Sequence, residues 1–144
     1  MYFRKGYVPL ILLLIVFIIG CSKLSSKIED DQFTPAKTDI VSNHDGIENI
    51  TRLKEFIQNV SKEKEDKIRV VSFTKEGDPI INDITFDLET LEVSSDRTRD
   101  KYGEKAIKTH SCKTIEVNKN EQNQDEYVLT RCSGYDIPFY LGVD

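Results

Sequence analysis

Two charged segments of the chain hold the side chains whose types could do chemistry. Glu76 and Asp78 stand in a turn-forming stretch, where two converging carboxylates could divide general acid and general base roles. Arg97, Arg99 and Asp100 stand in a loop of alternating charge, where an arginine fork could bind a carboxylate or a charged strand of a partner. The same residues are also typical of a solvated turn and of surface ion pairs. Both interpretations stay open at this point.

Neither histidine belongs to a motif for catalysis or metal binding. His44 stands beside Asp45 near an expected helix start, where a capping or solvated role suffices. His110 lies two residues before Cys112, and a Cys–His nucleophile would need a free thiolate. The sequence also lacks the Cys-x-x-Cys spacing of zinc sites, a glycine-rich phosphate loop and a nucleophile elbow. We therefore expect no catalytic residue, no metal and no cofactor.

The N-terminal segment has the pattern of a secretory signal. Arg4 and Lys5 precede an apolar run over residues 8–19, which is shorter than the roughly 20 residues of a membrane-spanning helix. Residues 18–21, Ile-Ile-Gly-Cys, resemble the lipobox of bacterial lipoprotein signal peptides. The resemblance implies acylation of Cys21, cleavage just before it, and a protein held at the extracytoplasmic face of the cell membrane. An uncleaved signal anchor and an unlipidated secreted form are the alternatives.

Charge narrows the class of partner. The chain has 144 residues with 20 Lys plus Arg and 25 Asp plus Glu. Two of the basic residues and none of the acidic ones lie in residues 1–20, so the mature part has 18 against 25, a net charge of −7. Nucleic acids and anionic lipids select basic surfaces, so we expect no nucleic acid partner. The expected partners are the membrane, through acyl chains on Cys21, and an unknown protein, peptide or wall component.

The composition of the chain divides it into three segments, of which the last is a folded domain. Residues 1–20 are the signal peptide, residues 21–42 are polar and predict a flexible tether, and residues 43–144 form one domain. Possible N-cap residues at 43–46 precede apolar residues at helical spacing, which predicts a helix over about residues 46–62. The apolar residues of this stripe are Ile47, Ile50, Leu53, Ile57 and Val60.

Strand patterns fill most of the remaining chain. Residues 68–74, 80–86 and 91–93 are rich in β-branched and apolar side chains, and a Gly-Asp-Pro turn separates the first two. Pairing Phe86 with Leu91 makes the last two a hairpin. Residues 94–104 predict a loop or short helical turn. Residues 118–126 predict a polar hairpin tip, with calcium binding as the less favoured alternative.

The two remaining cysteines fit one antiparallel register. If Cys112 faces Cys132, the same register places four apolar side chains on one strand face: Ile115 with Leu129 and Val117 with Tyr127. Directly opposed residues come close enough for a disulfide. We therefore expect a bridge, worth about 3 kcal/mol for a loop of this length, and leave two free thiols as the alternative.

A second resemblance covers about residues 40–132. The run DKIRVVSFTKEGDPI at 66–80, DRTRDKYG at 96–103 and the two cysteines resemble an uncharacterised family of small lipoproteins from low-GC Gram-positive bacteria. That family is known only as a domain of unknown function. The resemblance implies the same compartment and a single domain, and it brings no activity, ligand or catalytic residue.

These patterns together predict an α+β fold. We expect one N-terminal helix packed on an antiparallel sheet of about five strands, with one disulfide. The expected function is that of a lipid-anchored, non-enzymatic binding module at the cell surface. The alternative is a small cell-envelope enzyme or inhibitor that uses the loops containing Glu76, Asp78, Arg97 and Asp100.

Overall fold

The computed structural model describes residues 33–134 and 138–144. The predicted signal peptide, Cys21 and the first part of the predicted tether lie outside the described residues. Within them the fold is α+β, as predicted, with one helix and a mostly antiparallel set of strands. The described residues form nine strands rather than the predicted five or so, and these strands make a six-stranded and a three-stranded sheet.

The six-stranded sheet has the order β2-β1-β3-β4-β5-β6. Its strands are β1 (Ile40–Asn43), β2 (Gly46–Glu48), β3 (Asp66–Phe73), β4 (Pro79–Phe86), β5 (Leu91–Asp96) and β6 (Ile107–Cys112). All neighbours are antiparallel except β1 and β3, which are parallel. The second sheet has the order β7-β8-β9. Its strands are β7 (Thr114–Lys119), β8 (Asp125–Thr130) and β9 (Phe139–Val143).

The helix α1 (Ile50–Ser61) begins four residues later than predicted. The expected N-cap residues 43–46 instead form the tight turn between β1 and β2, where Gly46 has a φ of 130°. Asn49 stands before the helix in the left-handed conformation, and its side-chain amide donates to the carbonyls of Thr38 and Asp39. The polar residues at 43–46 therefore close a hairpin rather than cap a helix.

The segment predicted as a tether contributes to the sheet. β1 lies within residues 21–42 for most of its length and stands between β2 and β3. Ile40 is completely buried and pairs with Val70 of β3. The β-branched pair Ile40 and Val41 explains why these residues join the strand layer rather than remain in a linker.

The registers predicted for both hairpins are confirmed. Phe86 pairs with Leu91 across β4 and β5, and β5 continues three residues further than predicted, to Asp96. In the second sheet, the predicted register holds throughout β7 and β8, including Ile115 with Leu129 and Val117 with Tyr127. The four apolar side chains differ in burial, however, since Leu129 and Tyr127 are buried and Val117 is 47% exposed.

The predicted disulfide between Cys112 and Cys132 is present, and it joins the two sheets. Cys112 is the last residue of β6, and the chain changes sheet at the next residue, Lys113. Backbone hydrogen bonds flank the bridge on both sides and hold the two chain segments in the same register. The N–H of Lys113 donates to the carbonyl oxygen of Thr130, and the N–H of Ser133 donates to the carbonyl oxygen of Ser111. The bridge therefore ties the end of β6 to the residues that follow β8.

The core lies between the six-stranded sheet, the helix and the second sheet. Alternate residues of β3, β4 and β5 face it, as the side-chain period of a strand requires. Buried apolar side chains from all three layers meet there: Ile40, Leu53, Phe56, Ile68, Val70, Ile84, Phe86, Leu91, Val93, Tyr127, Leu129 and Leu141. Burial of this continuous cluster is the main contribution to the stability of the domain.

An ion pair fastens the helix to the sheet. The guanidinium of Arg52 in α1 donates to both carboxylate oxygens of Asp66 at the start of β3, at 2.6 and 3.0 Å. Burial, the strongest single influence, raises the pKa of Asp66. Hydrogen bonds from Arg52, Asn59 and the Lys67 N–H together outweigh it and leave the pKa below its usual value. Asp66 is therefore a charged group held by three donors.

Candidate functional site

The two charged segments predicted from the sequence meet at Asp78. Its carboxylate accepts a hydrogen bond from the backbone N–H of Lys101 at 2.9 Å, and the Lys101 ammonium lies 3.4 Å away. Asp78 is only 5% exposed. The hydrogen bond from the Lys101 backbone is the main reason why the pKa of Asp78 is below its usual value. The carboxylate therefore holds the loop backbone in place.

Asp100 has a similar role within its own loop. Its carboxylate accepts hydrogen bonds from the backbone N–H groups of Tyr102 and Gly103, at 3.1 and 2.7 Å. A Cβ atom at Gly103 would stand 2.2 Å from the Asp100 carboxylate, so this close approach requires glycine. Asp100 is 7% exposed and its hydrogen-bonding capacity serves the turn. Its carboxylate shapes the loop rather than facing a ligand.

The other three predicted residues separate from one another. Arg99 lies over the ring of Phe33, 5.4 Å from its centre, and pairs with Asp96 at 3.5 Å. Glu76 is exposed in the turn between β3 and β4. Arg97 instead lines a cavity between the two sheets. The five predicted residues therefore do not form one site, although the two loops that contain them touch.

The cavity that Arg97 lines has a volume of about 370 Å³. We call it the inter-sheet cavity. Its floor is the inner face of β3, β4, β5 and β6, and its opposite wall is Pro138 with the first two residues of β9. Its polar lining consists of Ser72, Asn82, Ser95, Arg97, Glu104 and Lys108. Its aromatic lining consists of Phe139 and Tyr140.

Polar side chains occupy inward positions of the sheet here. Along the inner face of β4, Phe86 and Ile84 are apolar and the next inward residue is Asn82. Along β5, Val93 is followed inward by Ser95, which pairs directly with Asn82. Both are buried, at 5% and 7% exposure. The inner face therefore changes from apolar to polar at the cavity.

Asn82 has an unsatisfied side chain. Its Oδ1 atom is buried and has no hydrogen-bond partner among the residues that the structure describes. Leaving a buried amide oxygen unpaired costs about 1–3 kcal/mol. Such groups are rare in folded proteins, and each needs a physical explanation. The Asn82 side chain also lines the inter-sheet cavity, so a rotation of its amide group would let a ligand N–H in the cavity pair with Oδ1.

A second cavity of about 460 Å³ shares Ser72 and Tyr140 with the first. His44 and Asp45, in the turn between β1 and β2, contribute to its lining. His44 was expected at a helix start and instead stands in this turn. Burial, followed by the nearby charge of Glu126, raises the pKa of the Tyr140 phenol above its usual value. Tyr140 is therefore a neutral hydroxyl at ordinary pH, positioned between the two cavities.

The polar hairpin tip is held by its own side chains. The Asn120 side-chain oxygen accepts hydrogen bonds from the backbone N–H groups of Gln122 and Gln124.

Among residues 33–134 and 138–144, no group of three or more His, Cys, Asp or Glu side chains is placed to hold a metal ion. The helix in the same ranges is too short and too polar to cross a membrane.

Of the residues that line the cavity, only Arg97 was selected from the sequence, and three of those that were missed share a pattern. Asn82, Ser95 and Lys108 stand at positions that pair across β4, β5 and β6. A signal was present, because Asn82 and Ser95 interrupt the apolar alternation of strands that are otherwise buried on that face. The register that pairs Phe86 with Leu91 also places Asn82 opposite Ser95, so these two residues could have been identified from the sequence.

Comparison with known proteins gives a family but no activity. Searches of curated proteins and of solved structures find no match to this chain. Residues 37–128 match a family described as a domain of unknown function, DUF4362. The matched region contains the acidic turn, the charged loop, the floor of the inter-sheet cavity and Cys112. The chain therefore belongs to the DUF4362 family, whose function is unknown.

Proposed function

We propose that this protein is a lipoprotein, anchored by acyl chains on Cys21 at the extracytoplasmic face of the cell membrane, whose folded domain binds a ligand. The lipobox-like residues 18–21 and the short apolar run before them support the anchor. Two or more acyl chains hold a protein stably, at about 0.8 kcal/mol per buried CH₂ group. The acidic mature part keeps the domain soluble beside the membrane.

The observation that carries the binding role is the inter-sheet cavity with a buried polar floor. Small-ligand sites usually combine apolar surface with a few placed polar groups. Asn82 and Ser95 supply such groups, and Phe139 and Tyr140 supply apolar surface.

The alternative, an envelope enzyme or inhibitor, has less support from the geometry. Asp78 and Asp100 use their carboxylates to hold backbone N–H groups. The pKa of Asp78 is lowered by the Lys101 backbone N–H, whereas a general acid at neutral pH needs a raised pKa. We therefore favour a binding module over an enzyme that uses these loops.

Metabolic labelling tests the anchor. Cells that express the full chain are grown with radiolabelled palmitate, and the label should enter the wild type and not Cys21→Ser. Ser26→Ala is the matched control and should keep the label. Unlabelled full-length precursor in the wild type would contradict the proposed anchor.

Photo-crosslinking on intact cells tests the binding site. A photoreactive amino acid replaces Tyr140, which is 52% exposed beside the cavity, or Tyr102, which is 80% exposed on the charged loop. We expect a specific adduct from position 140 and little from position 102. Equal or stronger capture from position 102 would contradict the cavity as the binding site and favour the charged loop.

A further inference from the structure

We propose that the inter-sheet cavity binds the carboxy-terminal end of a peptide, with Arg97 on its carboxylate and Asn82 on its last amide group. This inference deepens the proposed binding role and rests on it. Three features of the cavity carry it: the charge balance of its rim, the unpaired amide in its floor, and its size with an aromatic wall.

Among the residues that the structure describes, the rim of the cavity has one cation outside any ion pair, Arg97. The ammonium of Lys108 forms an ion pair with Glu104, so these two charges offset each other. Arg97 takes part in no ion pair within the described ranges, and its exposed side chain lines the cavity. A guanidinium pairs with a carboxylate through two parallel hydrogen bonds. Because Lys108 and Glu104 offset each other, the rim offers one net positive charge, which balances a singly charged carboxylate better than a doubly charged phosphate.

The floor of the cavity presents a buried side-chain amide. Asn82 is 5% exposed, lines the cavity, and its Oδ1 lacks a partner within the described part of the chain. A side-chain amide has both a donor and an acceptor, and it matches the C=O and N–H of a peptide group. The Ser95 hydroxyl lies on the neighbouring strand and can satisfy the same peptide group. A carboxylate alone would leave the amide oxygen without a donor.

The dimensions of the cavity set the length of the ligand. Its volume of about 370 Å³ is near the lower end of the range for small-molecule sites, about 300–1,000 Å³. That space suits a short peptide end rather than a long segment. Phe139 and Tyr140 form the wall that faces the floor, and they can contact an apolar side chain of the ligand. The site therefore combines a charged rim, an amide floor and an aromatic wall.

Titration with defined peptides tests the proposal. The full chain, purified in detergent micelles, is titrated with a pool of N-acetylated tripeptides that differ in the last residue, and separately with the matching carboxamides. Binding is followed by calorimetry and by NMR shifts of backbone amides. We expect the free acids to shift Asn82, Ser95 and their neighbours, and the carboxamides to bind at least tenfold more weakly.

Two variants and one control complete the test. Arg97→Gln should lower the affinity for the acids at least tenfold, and Asn82→Leu should abolish binding without lowering the melting temperature. Arg99→Gln, an arginine two residues away that lies over Phe33, is the matched control and should bind like the wild type.

Three outcomes would overturn the proposal. They are equal binding of acids and carboxamides, unchanged affinity in Arg97→Gln, or no binding by any member of the acid pool. None of these outcomes would affect palmitate labelling of Cys21 or capture from position 140. Failure of the peptide proposal is therefore distinguishable from failure of the proposed function.

Discussion

Removing the disulfide should strongly destabilise the domain. We consider the double variant Cys112→Ala, Cys132→Ala, which deletes both sulfur atoms and leaves no polar group behind. The bridge connects residues 20 apart in sequence and joins β6 to the end of β8. Cys112 is completely buried and Cys132 is 8% exposed, so both belong to the core.

The expected loss follows from chain entropy. Opening a loop of this length gives the unfolded chain about 11 cal/mol/K of extra entropy, or about 3 kcal/mol at 25 °C. The loss of two buried sulfur atoms adds a smaller packing cost. For a domain of this size, 1 kcal/mol corresponds to a change in melting temperature of about 4–6 °C. We therefore expect the midpoint of thermal unfolding to fall by at least about 12 °C.

Thermal unfolding monitored by circular dichroism measures this change. The wild type is compared with the double variant and with wild-type protein treated with reductant, which should behave alike. Cys21→Ala is the matched control, because it removes the third cysteine of the chain and keeps the bridge. A midpoint within about 2 °C of the wild type, or two freely alkylated thiols in native protein, would refute this reasoning.

Four further substitutions test separate parts of the structure. Asp66→Asn should cost about 2 kcal/mol at pH 7, because it weakens charge-assisted hydrogen bonds. The folded pKa of Asp66 is lowered, so the difference from wild type in urea unfolding should shrink as pH falls below about 4. Gly142→Ala should cost about 2–3 kcal/mol, since its Cβ would lie 2.6 Å from Ser42 Oγ. Gly77→Ala should cost only about 1 kcal/mol, because the space around Gly77 is open and the strain comes from its positive φ of 87° alone. Asn82→Leu should raise the unfolding midpoint, because an unpaired buried amide is removed.

Clear results would contradict each of these expectations. A constant effect of Asp66→Asn between pH 7 and pH 3 would show that its charge does not stabilise the fold. Equal costs at the two glycines would show that the close approach of β9 to β1 is unimportant. A loss of stability in Asn82→Leu would show that the amide has a partner.

The hairpins could be predicted because their signals are local. The register of Phe86 with Leu91 and that of the cysteine hairpin follow from alternation and from short loops, which the neighbouring residues determine. The disulfide follows from the same hairpin register, in which Cys112 faces Cys132. Each of these features depends on residues that are close in sequence or tied by a strong pairing constraint.

The division into two sheets could not be predicted, because no local signal marks it. The change of sheet occurs at a single residue, Lys113, between two strands that would otherwise be continuous. The role of β1 was missed for a similar reason, since its parallel pairing with β3 depends on residues far along the chain. The helix start was misplaced because residues 43–46 suit a tight turn as well as an N-cap.

The candidate site could be predicted only in part. Arg97 was selected from its charge, and the structure places it at the inter-sheet cavity. Asp78 and Asp100 were selected on the same basis, and they hold backbone groups instead. Charge alone does not separate these roles, because the separation depends on which N–H groups the fold brings to each carboxylate.

The strand order also determines how the six-stranded sheet can assemble. β3, β4, β5 and β6 follow one another in the chain and in space, so each pairs with the next by closing a short loop. β1 pairs with β3 although β2 and the helix lie between these two strands in sequence, so this pairing must close a longer loop. Contacts between distant residues form more slowly than local ones. Residues 40–43 should therefore insert late in folding, and their amides should be among the last to gain protection from hydrogen exchange.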